Sequence, residues 1–182
     1  LHIATHGFFL EDAAAPSGGR GLADVGPTGA GTRLHLQDPL LRSGLVLAGA
    51  GAPTDLSNSL VTALELAGLN LWGTQLVVLS ACDTGRGDVK LGQGVYGLRR
   101  SLVVAGAETL VVSLWKVDDE TTRTLMESYY RNLLAGYGRV AALREAMLSL
   151  RAQHPHPYFW APFVGIGRDA PLRAFAAPAP QP

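Results

Sequence analysis

Four short apolar runs stand out along the chain, at residues 1–5, 45–48, 76–81 and 109–114. Each is rich in Val, Leu or Ile and too short for a buried helix, so each reads as a strand of a sheet covered on both faces. Residues 94–105, between the last two runs, have a helical pattern. Strand, helix and strand of this length imply a right-handed crossover between parallel neighbours. Asp118 and Asp119 then open a helix, where short acidic side chains suit the free N–H groups and the dipole. Its apolar residues recur on one face at Leu125, Met126, Tyr129, Tyr130, Leu133 and Leu134 until Gly136 stops it. A second helix, 140–150, ends before His154-Pro155-His156-Pro157, and 163–166 return as a last strand. The expected class is α/β, with a mostly parallel central sheet flanked by helices.

Two segments stand outside this scaffold. Residues 11–33 are dense in Gly, Ala, Pro and Thr and read as a long loop or insertion. Residues 168–182, with repeated Ala-Pro, read as an unstructured tail, which leaves 1–167 as the folded domain. A chain of 182 residues, 47% hydrophobic and 16% charged, fits one globular domain. It opens directly in a strand at Leu1, so further sequence is expected upstream.

Charge narrows the partners. Fifteen basic residues balance 15 acidic ones and are scattered, which gives no footprint for a nucleic-acid backbone or an anionic membrane surface. No run reaches the roughly 18 apolar residues of a membrane span. The single cysteine, Cys82, excludes a disulfide framework and a thiolate-rich zinc site and suits a reducing, cytoplasmic compartment.

The same cysteine carries the candidate chemistry. The third apolar run leads straight into Cys82, followed by the turn-prone Asp83-Thr84-Gly85-Arg86-Gly87, so the thiol sits at the carboxyl end of a central strand. Ligands and catalytic groups collect at that edge of an open α/β sheet. The first run delivers His6-Gly7 to the same edge. A free thiol is mostly protonated at neutral pH, and an imidazole that takes its proton makes it a nucleophile. The N–H groups of Gly7 and Cys82 are the candidate oxyanion donors.

These residues sit in longer motifs: His-Ile-Ala-Thr-His-Gly at 2–7, Pro-Leu-Leu-Arg-Ser-Gly at 39–44, Leu-Ser-Ala-Cys-Asp-Thr-Gly at 79–85 and Ala-Gly-Ala at 105–107. Ser-Leu-Trp-Lys-Val-Asp-Asp at 113–119 and His-Pro-Tyr-Phe-Trp-Ala-Pro-Phe at 156–163 continue the series. In this order they resemble a CHAT domain, the bacterial branch of the caspase and separase superfamily that often follows tetratricopeptide repeats. The resemblance runs from Leu1 to about Gly167. It implies a caspase-like sandwich, a missing N-terminal part, upstream tetratricopeptide repeats, and hydrolysis of a protein or peptide substrate by a His6–Cys82 dyad without a cofactor. It also implies a substrate pocket drawn from Asp83, Ser113, Trp115, Asp118 and Asp119. Asp83 follows the cysteine where caspases commonly carry Arg, and His6 and Cys82 are further apart than the roughly 50 residues of caspases. Both departures argue against aspartate specificity. Separases, which cut after arginine, resemble this chain in the acidic residues after Trp115, so Asp118 or Asp119 is a candidate selector of a basic side chain; helix capping is their more ordinary role.

Other readings weigh less. His2 stands four residues before His6 with no third ligand, and His154 and His156 alternate with prolines, so no metal site is expected. Gly92-Gln93-Gly94-Val95-Tyr96-Gly97 matches a dinucleotide-binding pattern but begins too far after its strand. No Gly-x-Ser-x-Gly elbow is present. The rival from a different class is a catalytically silent CHAT module that acts as a binding scaffold.

Overall fold

The computed structural model describes residues 1–9, 39–48, 60–83, 93–115 and 118–173. The insertion expected at 11–33, the last nine residues of the expected tail and the turn after Asp83 lie outside the described residues. The elements, in chain order, are β1 (His2–Phe9), α1 (Pro39–Arg42), β2 (Ser43–Val46), β3 (Leu60–Thr62), α2 (Ala63–Ala67) and β4 (Val77–Asp83). They continue with α3 (Gln93–Val104), β5 (Thr109–Ser113), α4 (Asp119–Leu134), α5 (Arg139–Gln153), α6 (Pro157–Trp160) and β6 (Phe163–Gly167).

The strands form one six-stranded sheet in the order β3-β2-β1-β4-β5-β6. Mixed α/β architecture is thus present, but the sheet is mixed rather than mostly parallel. Only β1, β4 and β5 run parallel to one another; β2 is antiparallel to β1 and β3, and β6 is antiparallel to β5. The apolar run at 45–48 has the pattern of a central parallel strand. Its residues instead follow the short helix α1 and return against β1, a direction that hydrophobic pattern alone does not encode.

Alternation along the inner strands builds two cores. Val77 and Leu79 of β4, with Leu110 and Val112 of β5, pack against Leu66 of α2 and Leu98 and Leu102 of α3. Val78 and Val111 point the other way, into Leu125, Met126 and Tyr129 of α4 and Leu143 and Ala146 of α5. Successive side chains on opposite faces are what a strand buried on both sides requires. β5 is buried along its whole length.

The amino end of the parallel strands is closed by a buried arginine. The Arg139 guanidinium donates to Gln75 O, to Ala170 O at 2.9 Å and to Thr109 Oγ1 at 3.0 Å, and pairs with Glu108 at 3.0 Å. Glu108 also pairs with Arg173 and lies 4.0 Å from Arg168. Hydrogen bonds from Arg173 first, then from Arg139, hold the Glu108 carboxyl below the usual carboxylate range. Asp169 accepts from the N–H groups of Val140 and Ala141 and caps α5, whose own N-cap, Gly138, has no side chain to do so. Residues 168–173, the start of the segment set apart as a tail, are therefore tied to the sheet and to α5.

Candidate active site at the carboxyl edge of the sheet

β1 and β4 lie side by side, parallel and in register from His2↔Val78 to Gly7↔Asp83. Within that ladder His6 and Cys82 are Cα partners. Two residues far apart in the sequence therefore occupy the same level of adjacent strands. His6 is exposed to solvent.

The strand that carries His6 does not stop where its apolar run stops. β1 continues through Gly7, Phe8 and Phe9, and this extension pairs with β2 as His6↔Val46, Gly7↔Leu45, Phe8↔Gly44 and Phe9↔Ser43. Aromatic residues favour strands, and the partner is built to receive them. A Cβ at Gly44 would collide with the Phe8 ring and with the carbonyl oxygen of Val61, so only glycine lets β1, β2 and β3 approach this closely. Gly7 is buried and stands between Leu45 on one side and Asp83 on the other.

The other expected pocket residues spread along the same edge. Asp83 closes β4 as the partner of Gly7. Ser113 ends β5, buried, opposite Phe163 of β6. Trp115 is half-buried, and its indole N–H donates to Tyr158 O at 3.3 Å. Asp118 is the N-cap of α4: its carboxylate accepts from Thr121 N–H at 2.9 Å and from the Thr121 hydroxyl at 3.0 Å. Those bonds, the backbone one foremost, hold the Asp118 carboxyl below its ordinary range. Asp119 begins α4 and is exposed.

Two features of this edge were not legible as site features. α6 forms at the end of the alternating His-Pro stretch, with Pro157 in its first turn and His156 Nδ1 accepting from Tyr158 N–H at 3.2 Å. It brings the Tyr158 carbonyl to Trp115. Arg42, noted only as part of a longer motif, ends α1 and is buried at the Phe9 end of the β1–β2 ladder. At the opposite end of the sheet His2 is 2.8 Å from the Tyr130 hydroxyl through Nδ1 and lines a cavity of about 590 Å³ with Gln75, Leu76 and Arg173. Among the described residues no three His, Cys, Asp or Glu side chains gather as a metal site. No helix among them is long and apolar enough to cross a membrane.

The class defined here is a mixed α/β domain built on one six-stranded sheet, with the candidate site residues along the carboxyl end of its parallel strands. The sequence profile of the CHAT domain matches residues 1–168, and the chain belongs to that family. It is also similar to tetratricopeptide repeat protein 28 of Mus musculus and of Homo sapiens, each 35% identical over 121 residues. The match covers 65% of this chain but 5% of either relative, so the chain corresponds to a small part of those proteins.

Proposed function

We propose that this CHAT domain is a caspase-like cysteine endopeptidase that hydrolyses a peptide bond in a protein substrate with a His6–Cys82 dyad. The observation that carries the reading is the register, in which His6 and Cys82 are partners on adjacent parallel strands. Neighbouring strands stand about 4.8 Å apart, and partners share a face of the sheet. An imidazole and a thiol can bridge such a separation. His6 takes the thiol proton, and the thiolate attacks the scissile carbonyl carbon. Collapse of the tetrahedral intermediate expels the amine, which His6 protonates, and water then hydrolyses the thioester.

The proposed oxyanion donors are the main-chain N–H groups of Gly7 and Cys82. The proposed substrate pocket draws on Asp83, Ser113, Trp115, Asp118 and Asp119. Ser113 is buried and shapes the floor, while Trp115 and the adjoining α6 form a wall. The Asp118 carboxylate is engaged by Thr121, which makes the exposed Asp119 the better partner for a basic substrate side chain. Upstream tetratricopeptide repeats in the same polypeptide and a cytoplasmic setting complete the reading. The first is supported by the name of the relatives; the second rests on the chain's having a single cysteine.

One observation favours a second reading, a catalytically silent scaffold. Gly7 lies between two strand partners, and each residue of an inner strand directs its N–H into a ladder, so this donor reaches an oxyanion only by leaving a strand. Labelling with thiol-reactive peptide probes of varied recognition residue separates the two. The endopeptidase predicts selective labelling that is lost in Cys82→Ala and sharply slowed in His6→Ala. Labelling at the rate of a free thiol, indifferent to the peptide, is the scaffold's result.

A further inference from the structure

The outer face of α3 carries apolar side chains that nothing among the described residues covers. Tyr96, Val103 and Val104 are 53%, 50% and 63% exposed. At 100° per residue they share one arc with Arg99 and Arg100, and the buried Leu98, Ser101 and Leu102 lie on the opposite side. Trp72 extends the stripe beyond the helix. A Cβ on Gly106, two residues after Val104, would stand 3.3 Å from Trp72 Cδ1, so the indole lies against the end of α3. It is nonetheless 84% exposed. Indole is among the largest apolar surfaces a residue can offer and is enriched where partners dock.

The charges on the stripe decide what fits it. Apolar anchors stand at both ends, Tyr96 at one and Val103, Val104 and Trp72 at the other, with both arginines between them. The Arg99 guanidinium lies 5.1 Å from the centre of the Tyr96 ring. A second copy packed antiparallel about a two-fold axis would set Arg100 opposite Arg100, because residue 100 is midway between Tyr96 and Val104. Like charges so placed oppose the contact. We infer that this face docks an amphipathic α-helix of a partner protein, one whose apolar stripe is interrupted at its centre by Asp or Glu. The apolar anchors supply the buried area, and the central acids pair with Arg99 and Arg100.

The surface lies on the outside of the helix layer, so its occupancy does not depend on peptidase chemistry. The test titrates the 182-residue chain against two fluorescent synthetic helical peptides with the same leucine stripe, one with two Glu at its centre and one with two Lys. Docking predicts that the Glu peptide binds at least about tenfold more tightly, a preference that shrinks in high salt. Trp72→Ala should weaken it by about tenfold or more with an unchanged melting temperature, since the side chain is exposed. Arg100→Glu should turn the preference toward the Lys peptide. Equal affinity for the two peptides, indifference to Trp72→Ala, or sedimentation showing that the chain self-associates through Trp72 and Val104 overturns the proposal. Loss of peptide-probe labelling in Cys82→Ala leaves it untouched.

Discussion

The two ends of the parallel strands differ in what holds them. At the amino end the fully buried Arg139 joins the loop before β4, the start of β5, the start of α5 and the segment after β6, and Glu108 ties two further arginines to it. At the carboxyl end His6, Asp118 and Asp119 are exposed and Trp115 is half-buried. The candidate site residues there come from the ends of separate strands and helices. One end is fastened by interactions made among protein groups. The other leaves His6 and Asp119 exposed to solvent. Stability and chemistry should therefore respond to different substitutions.

The largest effect is expected on chemistry. Cys82→Ala should abolish peptide hydrolysis, and His6→Ala should lower it by about 10²–10⁴-fold, the usual contribution of a positioned base. His6 is exposed, so its replacement should move folding stability by no more than about 0.5 kcal/mol; steady-state rates beside urea melts check both. Next comes the opposite end. Arg139→Ala leaves Glu108 without a buried partner and Gln75 O without its donor, and should destabilise the chain by about 3–5 kcal/mol. Where the variant remains folded, the alkylation rate of Cys82 should be unchanged. Arg139→Lys should recover only part of the loss, because an ammonium cannot reproduce the planar fork.

Between the extremes lies Gly44→Ala, whose new methyl meets a carbonyl and an aromatic ring rather than a flexible chain end. It should destabilise by about 1–3 kcal/mol and, by shifting β1, slow Cys82 as well. That makes it the substitution that couples the two properties. The smallest effect belongs to Asp118→Ala. Because the folded-state carboxyl titrates below its ordinary value of 3.8, its stabilisation is present above that value and is lost as pH falls through the depressed one. The variant should melt earlier than the parent at neutral pH, and the gap should close in acid. A gap independent of pH would mean that Asp118 acts through packing rather than through its charge.

Much of this architecture was legible in the sequence because it depends on local pattern. β4, β5, α3, α4 and α5 follow apolar runs and 3.6-residue periods to within a few residues, and β6 was read from Phe163 onward. The capping role of Asp118 followed from its place before an amphipathic stretch. Strand direction was not legible. β2 has the composition of a parallel strand but runs antiparallel, because direction is set by how the chain enters, and α1 occupies four residues before it. β3 and α2 are too short for a periodic signal. The first apolar run ends at Thr5, yet pairing with β2 carries β1 on to Phe9. The level correspondence of His6 and Cys82 needs the register of two strands, which no single-sequence pattern contains. The tether of Arg139 to residues 168–173 is likewise a contact between distant segments.

If His6 activates Cys82, the pH dependence of Cys82 alkylation by iodoacetamide must show it. No other thiol is present to confuse the reading. An imidazole-paired cysteine should react along a curve with its midpoint below about 7.5, and His6→Ala should move that midpoint toward about 8.5, the value of a free thiol. A midpoint near that of a free thiol in the parent chain, unmoved by His6→Ala, would contradict the dyad and leave the fold to serve as a scaffold.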